Sequence, residues 1–249
     1  MLYLGDNGSY VEGVNTKYYS SDKTIEEYYR RAEGGLWNAE KKIVKKYFTN
    51  RSGFILDIGC GVGRTTIHLH NMGFKIVGID ISEPMIEKAK CLNPSIDFRL
   101  GNACDLNFDS EIFDYTLFSF NGIDYIYPEK NRLRVLREIN RCLKPGGLFV
   151  FSTHNSWWII PDNLLNPICY YEWLKYQIHW LLSGEFFSKY RGDIKAGKLV
   201  TYFYLIDPPK QKKQLWNCGF QLLEIVRVKG QIKYFEAWPY YIAQKVKSA

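Results

Sequence analysis

The sequence predicts an α/β fold, a doubly wound and mostly parallel sheet, and two observations support this prediction. Short apolar runs alternate with helical patterns along the chain, which is typical of a parallel sheet covered by helices on both faces. The first apolar run, residues 54–58, ends in a glycine-rich turn, as a buried parallel strand does where it leads into a helix. Hydrophobic residues make up 46% of the 249 residues, which is enough to bury the core of such a fold.

The elements are assigned in chain order. Residues 1 to about 24 are polar and predict an irregular arm, and helical spacing begins at Thr24 and breaks at Gly34-Gly35. An aromatic-rich stretch, residues 155–197, interrupts the pattern as an inserted cap. We therefore expect an N-terminal arm and helix over residues 1–50 and one domain over residues 51–249. The expected strands are 54–58, 75–80, 96–100, 115–120, 148–153, 199–206, 220–228 and 240–246, and the expected helices are 65–72, one from Ser82 or Glu83, 129–143 and 208–218.

Composition limits the environment and the partners. The net charge of +7 is a mild bias, and its short lysine clusters favour solvated helix faces over a nucleic-acid surface. The six cysteines show no C-x-x-C spacing and none lies near a histidine at zinc-ligand spacing, so we expect no metal site and a reduced, cytoplasmic compartment. We expect no membrane segment, because no apolar run is long enough to span a bilayer.

The turn after the first strand contains Gly59, Gly61 and Gly63. In an open α/β sheet a nucleotide-like ligand lies beyond the carboxyl ends of the strands, and glycine allows the backbone to approach it closely. Asp80, at the end of the second strand, can accept hydrogen bonds from ribose hydroxyls. A dinucleotide motif would need glycine where Arg64 stands. Asp57, just before the turn, disfavours a pyrophosphate and favours a ligand that carries an ammonium and a sulfonium.

Five segments, taken together and in order, resemble the motifs of class I S-adenosylmethionine-dependent methyltransferases. The resemblance covers roughly residues 50–154 and the last strands. It implies a Rossmann-like sheet of seven strands whose last strand runs antiparallel, with S-adenosyl-L-methionine as the cofactor. The five segments are residues 55–64, 77–82, 101–106, 113–121 and 136–147.

The resemblance also assigns the residues that would bind the cofactor. Asn102 takes the place of the family's usual aspartate, and its side-chain oxygen can still accept from the adenine amino group. Ala103 would offer its backbone N–H to the ring, and Asp80 would bind the ribose. The implied cofactor-binding set is Asp57, Gly59, Cys60, Gly61, Gly63, Asp80, Ile81, Asn102, Ala103 and Ser119.

The acceptor side is less specified. His154 ends the fifth strand and is either a general base or a hydrogen-bonded structural histidine. The N-terminal tyrosines either close over the cofactor or pack the first helix onto the core. The insertion is either a substrate lid or part of a dimer interface. The candidate substrate residues are Tyr18, Tyr29, Asn121, Trp157, Trp158 and Tyr171.

The implied reaction is an in-line displacement at a sulfonium methyl, which requires alignment and exclusion of water and needs no metal. We expect a methyltransferase that acts on nitrogen or oxygen of a small molecule, as a monomer or homodimer. The alternatives are a tRNA or other RNA methyltransferase and a non-catalytic protein that binds the cofactor. A closed pocket under the insertion favours the first, a continuous basic track the second, and a blocked acceptor side the third.

Overall fold

The computed structural model describes residues 8–157, 167–195, 198–228 and 236–246. Seven of its strands form one sheet and three form a smaller second sheet. The described strands are β1 (Phe54–Ile58), β2 (Lys75–Asp80), β3 (Asp97–Leu100), β4 (Phe113–Phe118), β5 (Leu143–Ser152), β6 (His154–Asn155), β7 (Tyr190–Lys195), β8 (Lys198–Ile206), β9 (Phe220–Val226) and β10 (Tyr240–Lys245).

The large sheet has the order β3-β2-β1-β4-β5-β10-β9. Strands β1 to β5 are parallel, and β10 runs antiparallel to both of its neighbours, β5 and β9. The expected seven-stranded sheet with an antiparallel last strand is therefore confirmed. The order reverses between β1 and β4, which is the point where ligands bind in open α/β sheets.

Helices cover both faces of this sheet. Leu56 of β1 packs in one apolar cluster with residues of the helix before β5, and Ile55 packs on the other face with residues of the helix before β1. This alternation of neighbouring strand residues is what a doubly wound sheet requires. The described helices are α1 (Gly8–Tyr19), α2 (Asp22–Glu33), α3 (Asn38–Tyr47), α4 (Arg64–Asn71), α5 (Glu83–Leu92), α6 (Glu129–Cys142), α7 (Pro167–Leu182) and α8 (Pro208–Asn217). None of them is long and apolar enough to cross a membrane.

The N-terminal residues form a helix, so the expected irregular arm is wrong for residues 8–19. A long-range contact explains the difference. The side chain of buried Asn15 accepts from the backbone N–H of Tyr202 at 2.8 Å and donates to its carbonyl at 3.0 Å. Helix α1 is thus held on strand β8, and its polar sequence did not indicate a helix because this partner lies 187 positions away.

The insertion is longer than expected. Strand β8 does not rejoin the large sheet but pairs antiparallel with β7 and parallel with β6 in the small sheet. The large sheet resumes only after Asp207, whose side chain accepts from the N–H of Lys210 and caps α8. The inserted cap therefore extends to Ile206, because local sequence predicts that a segment is a strand but not which sheet it joins.

Candidate active site

The glycine turn lies at the carboxyl edge of the large sheet and has the backbone that only glycine adopts readily. The φ angles of Gly59, Gly61 and Gly63 are +63°, +55° and +94°. A Cβ at Gly59 would lie 2.8 Å from the ring of Phe118, so a side chain is also excluded sterically there. At Gly61 the nearest atom to such a Cβ is in Tyr28, 3.6 Å away, so this glycine faces the space under that ring.

Asp80 joins this turn to the end of β2. One carboxylate oxygen accepts from the N–H of Gly61 at 2.8 Å and the other from the N–H of Ser82 at 2.9 Å. Burial raises the pKa of Asp80 above its usual value. The next residue, Ile81, has 66% of its surface exposed, and Leu100, which pairs with Asp80 from β3, is also exposed. These two side chains offer an apolar surface next to a hydrogen-bond acceptor, as an adenosine needs.

Asp57 lies beneath the turn rather than facing the space above it. Its Oδ2 accepts from the hydroxyls of Thr65 at 2.5 Å and Thr66 at 2.6 Å, while its Oδ1 is buried without a hydrogen-bond partner among the described residues. Burial raises the pKa of Asp57 to about 6, against the opposing effect of the two hydroxyls and of Arg64. Asp57 therefore ties β1 to the start of α4.

Asn102 and Ala103 follow β3 at the same edge of the sheet. The Oδ1 of Asn102 accepts from the N–H of Cys104 at 2.9 Å and closes a turn, and the residue is exposed. That oxygen retains a second lone pair for an external donor. Cys60, also expected at the cofactor, is buried and its N–H donates to the carbonyl of Ile79.

Ser119, after β4, belongs to a buried polar network that the sequence did not reveal. Its hydroxyl contacts Glu40 and lies 2.7 Å from the hydroxyl of Tyr240. Arg64 binds both oxygens of Glu40 at 2.7 Å, and the N–H of Trp37 donates to the same carboxylate. Burial alone would raise the pKa of Glu40, but the hydrogen bonds and charge of Arg64 hold it below its usual value. The network fixes α3 against the glycine turn.

Strand β4 ends two residues earlier than expected because the chain turns sharply there. Phe120 and Asn121 have φ angles of +54° and +58°, a left-handed conformation that is uncommon for residues other than glycine. The N–H of Asn121 donates to Ser152 at 2.8 Å. Its side chain is buried, and its Oδ1 has no hydrogen-bond partner among the described residues. The turn thus places the side-chain amide of Asn121 next to His154.

His154 is oriented by a fully buried carboxylate. Its Nδ1 lies 2.8 Å from Oδ2 of Asp124, and the backbone N–H of His154 donates to the same oxygen at 2.6 Å. Asp124 in turn forms an ion pair with buried Arg132 at 2.6 Å. Nε2 of His154 lies 3.5 Å from the amide nitrogen of Asn121. The sequence singled out His154 but missed Asp124, because 30 residues separate them.

These residues open into one cavity of about 410 Å³ between the large sheet and the inserted cap, termed the acceptor cavity below. Its wall is mainly aromatic, with polar groups at both ends. Arg31 is the one cationic residue among the described residues that line it. The residues that line it include Tyr18, Arg31, Phe120, Asn121, Tyr125, His154, Tyr176, Trp180, Asp193, Thr201 and Phe203.

Of the expected substrate residues, Tyr18 and Asn121 line the acceptor cavity, as does the candidate base His154, and three others lie elsewhere. Tyr29 packs against Val62 and Met85, because it points about 100° around α2 from Tyr28, which does line the cavity. Tyr171 is 64% exposed on the outer face of α7, and Trp157 is also exposed. Trp158 lies outside the described residues.

Comparison with known proteins agrees with this geometry. A family model described as a methyltransferase domain matches residues 55–147. A methyltransferase from Geobacillus sp. (strain WCH70) is 30% identical over 205 residues, which cover 74% of this chain and 81% of that protein. The chain belongs to the class I S-adenosylmethionine-dependent methyltransferases.

Solved structures show the same fold. A SAM-dependent methyltransferase from Methanosarcina mazei superimposes with a TM-score of 0.68 at 21% identity. The superposition covers 86% of this chain and 100% of that chain. The 1,6-didemethyltoxoflavin-N1-methyltransferase of Burkholderia thailandensis, solved with its substrate and S-adenosylhomocysteine, has a TM-score of 0.66 at 16% identity, covering 99% and 93% of the two chains.

The residues of this methyltransferase fit S-adenosylmethionine by their chemistry. The space beside the glycine turn is about 40 Å³, a small fraction of the acceptor cavity. It is roofed by Tyr28, Trp37 and Phe120, which also line the acceptor cavity. These three aromatic residues therefore lie between the glycine turn and the acceptor cavity, where the methionine end would bind, and the nucleoside end would lie at Asp80 and exposed Ile81.

Proposed function

We propose that this methyltransferase transfers a methyl group to a nitrogen or oxygen atom of a small molecule held in the acceptor cavity, with His154 as the general base. The observation that supports this most directly is the position of His154. Its ring lies in the wall of the acceptor cavity, with Nδ1 bound to Asp124 and Nε2 on the side of Asn121.

The size and lining of the acceptor cavity favour a small acceptor over a nucleic acid. A volume of about 410 Å³ lies in the range of small-molecule sites, which are mostly apolar with a few placed polar groups. An RNA substrate would instead need several cations along a track to bind its phosphates. Arg31, the single cation of the described lining, pairs with Glu27 across one turn of α2. The described side chains leave room for an acceptor, whereas a non-catalytic protein would be expected to block that side.

The His154–Asp124 pair is arranged to take up a proton. Asp124 fixes the tautomer in which Nδ1 carries the hydrogen and Nε2 accepts, and it stabilises the imidazolium that forms afterwards. Proton removal makes an acceptor hydroxyl or ammonium group nucleophilic, and the sulfonium supplies an already activated methyl carbon. The remaining task of the site is alignment and exclusion of water, which an aromatic cavity under a cap provides.

The test is a methyl-transfer assay with labelled S-adenosylmethionine over a metabolite extract and bulk tRNA, followed by variants on the acceptor found. His154→Gln should lower the transfer rate about 10²–10⁴-fold, the range of a lost general base. His70→Gln, an exposed histidine on α4, is the matched control and should transfer at the wild-type rate. Transfer to tRNA with none to small molecules, or an unaffected His154 variant, would contradict the proposal.

A further inference from the structure

We propose that the cap end of the acceptor cavity, at Asp193 and Thr201, is a subsite for a cationic ammonium group of the acceptor. This inference rests on the proposed small-molecule function and adds a substrate class to it. Asp193 and Thr201 face each other across the antiparallel pair β7–β8, and both line the acceptor cavity.

The carboxylate of Asp193 has no cationic partner in the described part of the chain. Its Oδ1 accepts from the hydroxyl of Tyr176 at 2.6 Å, and no ion pair includes it. Arg191 lies two positions before Asp193 on the same face of β7. Its guanidinium stacks on Trp180 at 4.8 Å and on Phe186 at 5.6 Å, and the charge that acts on it is that of Glu185. Asp193 therefore presents a negative charge that the described residues leave uncompensated.

Thr201 supplies the second, independent observation. Its side chain is 1% exposed, and its hydroxyl has no hydrogen-bond partner among the described residues. Buried hydroxyls are normally paired, so an unpaired one in the wall of a cavity indicates a group that arrives with the ligand. A primary ammonium has three N–H donors and could bind both the carboxylate and this hydroxyl oxygen.

The surrounding wall favours a cation as well. Tyr176, Trp180 and Phe203 line this part of the acceptor cavity, and aromatic faces attract ammonium groups. An anion would be repelled by Asp193, and a neutral group would leave its charge without a partner. The other two charged residues of the described lining, Glu27 and Arg31, pair with each other.

The strand geometry sets the length of the acceptor. Leu205 of β8 pairs with His154, and Thr201 of the same strand pairs with Asp193. Four residues of extended strand span about 13 Å. Subtracting one hydrogen bond of about 3 Å at each end leaves roughly 7 Å as the approximate separation of the reacting atom and the cation. The acceptor is therefore a compact amine whose reacting group and ammonium lie at opposite ends.

The experiment measures equilibrium binding, so it does not depend on turnover. The chain is saturated with S-adenosylhomocysteine and titrated by calorimetry with tyramine, a phenol that carries an ammonium, and with its neutral counterpart 4-ethylphenol. The wild-type chain should bind tyramine at least about tenfold more tightly. Asp193→Asn, which keeps the hydrogen bond from Tyr176, should bind the two equally. Asp109→Asn, an exposed carboxylate, should keep the preference.

A second variant keeps the test independent of any folding defect. Valine has nearly the same shape as threonine. Thr201→Val should therefore weaken the binding of tyramine about three- to tenfold and leave the binding of 4-ethylphenol unchanged. Equal wild-type binding of the two probes, no measurable binding of either at millimolar concentration, or an Asp193→Asn variant that keeps the preference would each overturn the subsite. Failure of the proposed function would appear separately, in the transfer assay.

Discussion

Two aspartates that flank the glycine turn have different positions although both were expected at the cofactor. Asp80 binds the N–H of Gly61 from the open edge of β2, while Asp57 is buried under the turn against two threonine hydroxyls. Only Asp80 lies where its remaining lone pairs can reach a ligand at the sheet edge. Substitution of Asp80 should therefore change the affinity for the cofactor. Substitution of Asp57 should change how the stability of the fold depends on pH.

Asp80→Ala should weaken binding of S-adenosylmethionine by about 1–3 kcal/mol, because it removes an acceptor for the ribose hydroxyls. Calorimetry measures this directly. Asp97→Ala, an exposed aspartate on β3, is the control and should bind as the wild type does. If the Asp80 variant binds with unchanged affinity, Asp80 is not part of the site.

Asp57 should make stability depend on pH. Its pKa in the folded chain is about 6 against 3.8 in the unfolded chain, so the folded chain holds this proton more tightly. The resulting stabilisation is complete below pH 4 and is lost as the pH rises through 6. The difference amounts to about 3 kcal/mol. Urea unfolding between pH 4 and 7.5 should show that the wild type loses stability as the pH rises and that Asp57→Asn does not lose this contribution. Parallel pH profiles would contradict the assignment.

At the scale of elements, the inserted cap determines the shape of the acceptor cavity. Helix α7 turns Tyr176 and Trp180, one helical turn apart, toward β7 and β8, and leaves Tyr171 and Leu181 exposed on its other side. The indole N–H of Trp180 donates to the carbonyl of Gly192 at 3.0 Å and fastens the helix to β7. The cap is thus held in place over the cavity by its own polar contacts.

The two faces of α7 allow a matched test of the lid role. Tyr176→Phe removes the hydroxyl that binds Asp193 and should lower kcat/KM for the acceptor about three- to tenfold, the loss expected for one hydrogen bond. Tyr171→Phe makes the same change on the exposed face and should have no effect. Affinity for S-adenosylmethionine should stay at the wild-type value in both. Equal kinetics in the two variants would argue against a lid.

At the scale of the whole molecule, one buried ion pair connects the base to the core. Arg132 of α6 binds Asp124 at 2.6 Å and also donates to Thr153 and to Gln211 of α8. Arg132 and Asp124 are both fully buried. Removal of either partner would take the opposite charge away from a fully buried group, so the pair supports both the fold and the orientation of His154.

Arg132→Met should lower the free energy of unfolding by about 3–5 kcal/mol, the cost of breaking a buried ion pair by removing one partner. Arg134→Met, on the same helix but 58% exposed, should change it by less than about 1 kcal/mol. Denaturant unfolding at neutral pH gives both values. Similar losses in the two variants would show that the buried pair is not important for stability.

The family, the S-adenosylmethionine cofactor and the seven-stranded sheet could be predicted from the sequence because they depend on local patterns. Glycine is strongly favoured where φ is positive, as at residues 59, 61 and 63, and apolar runs identify buried strands. The cytoplasmic location and the monomer or homodimer state stay predictions. Only the tertiary structure placed Asp124 behind His154 and Asp193 opposite Thr201, or chose Tyr28 over Tyr29 for the cavity wall. These choices depend on contacts between residues far apart in the chain, and no local preference encodes which distant groups packing brings together.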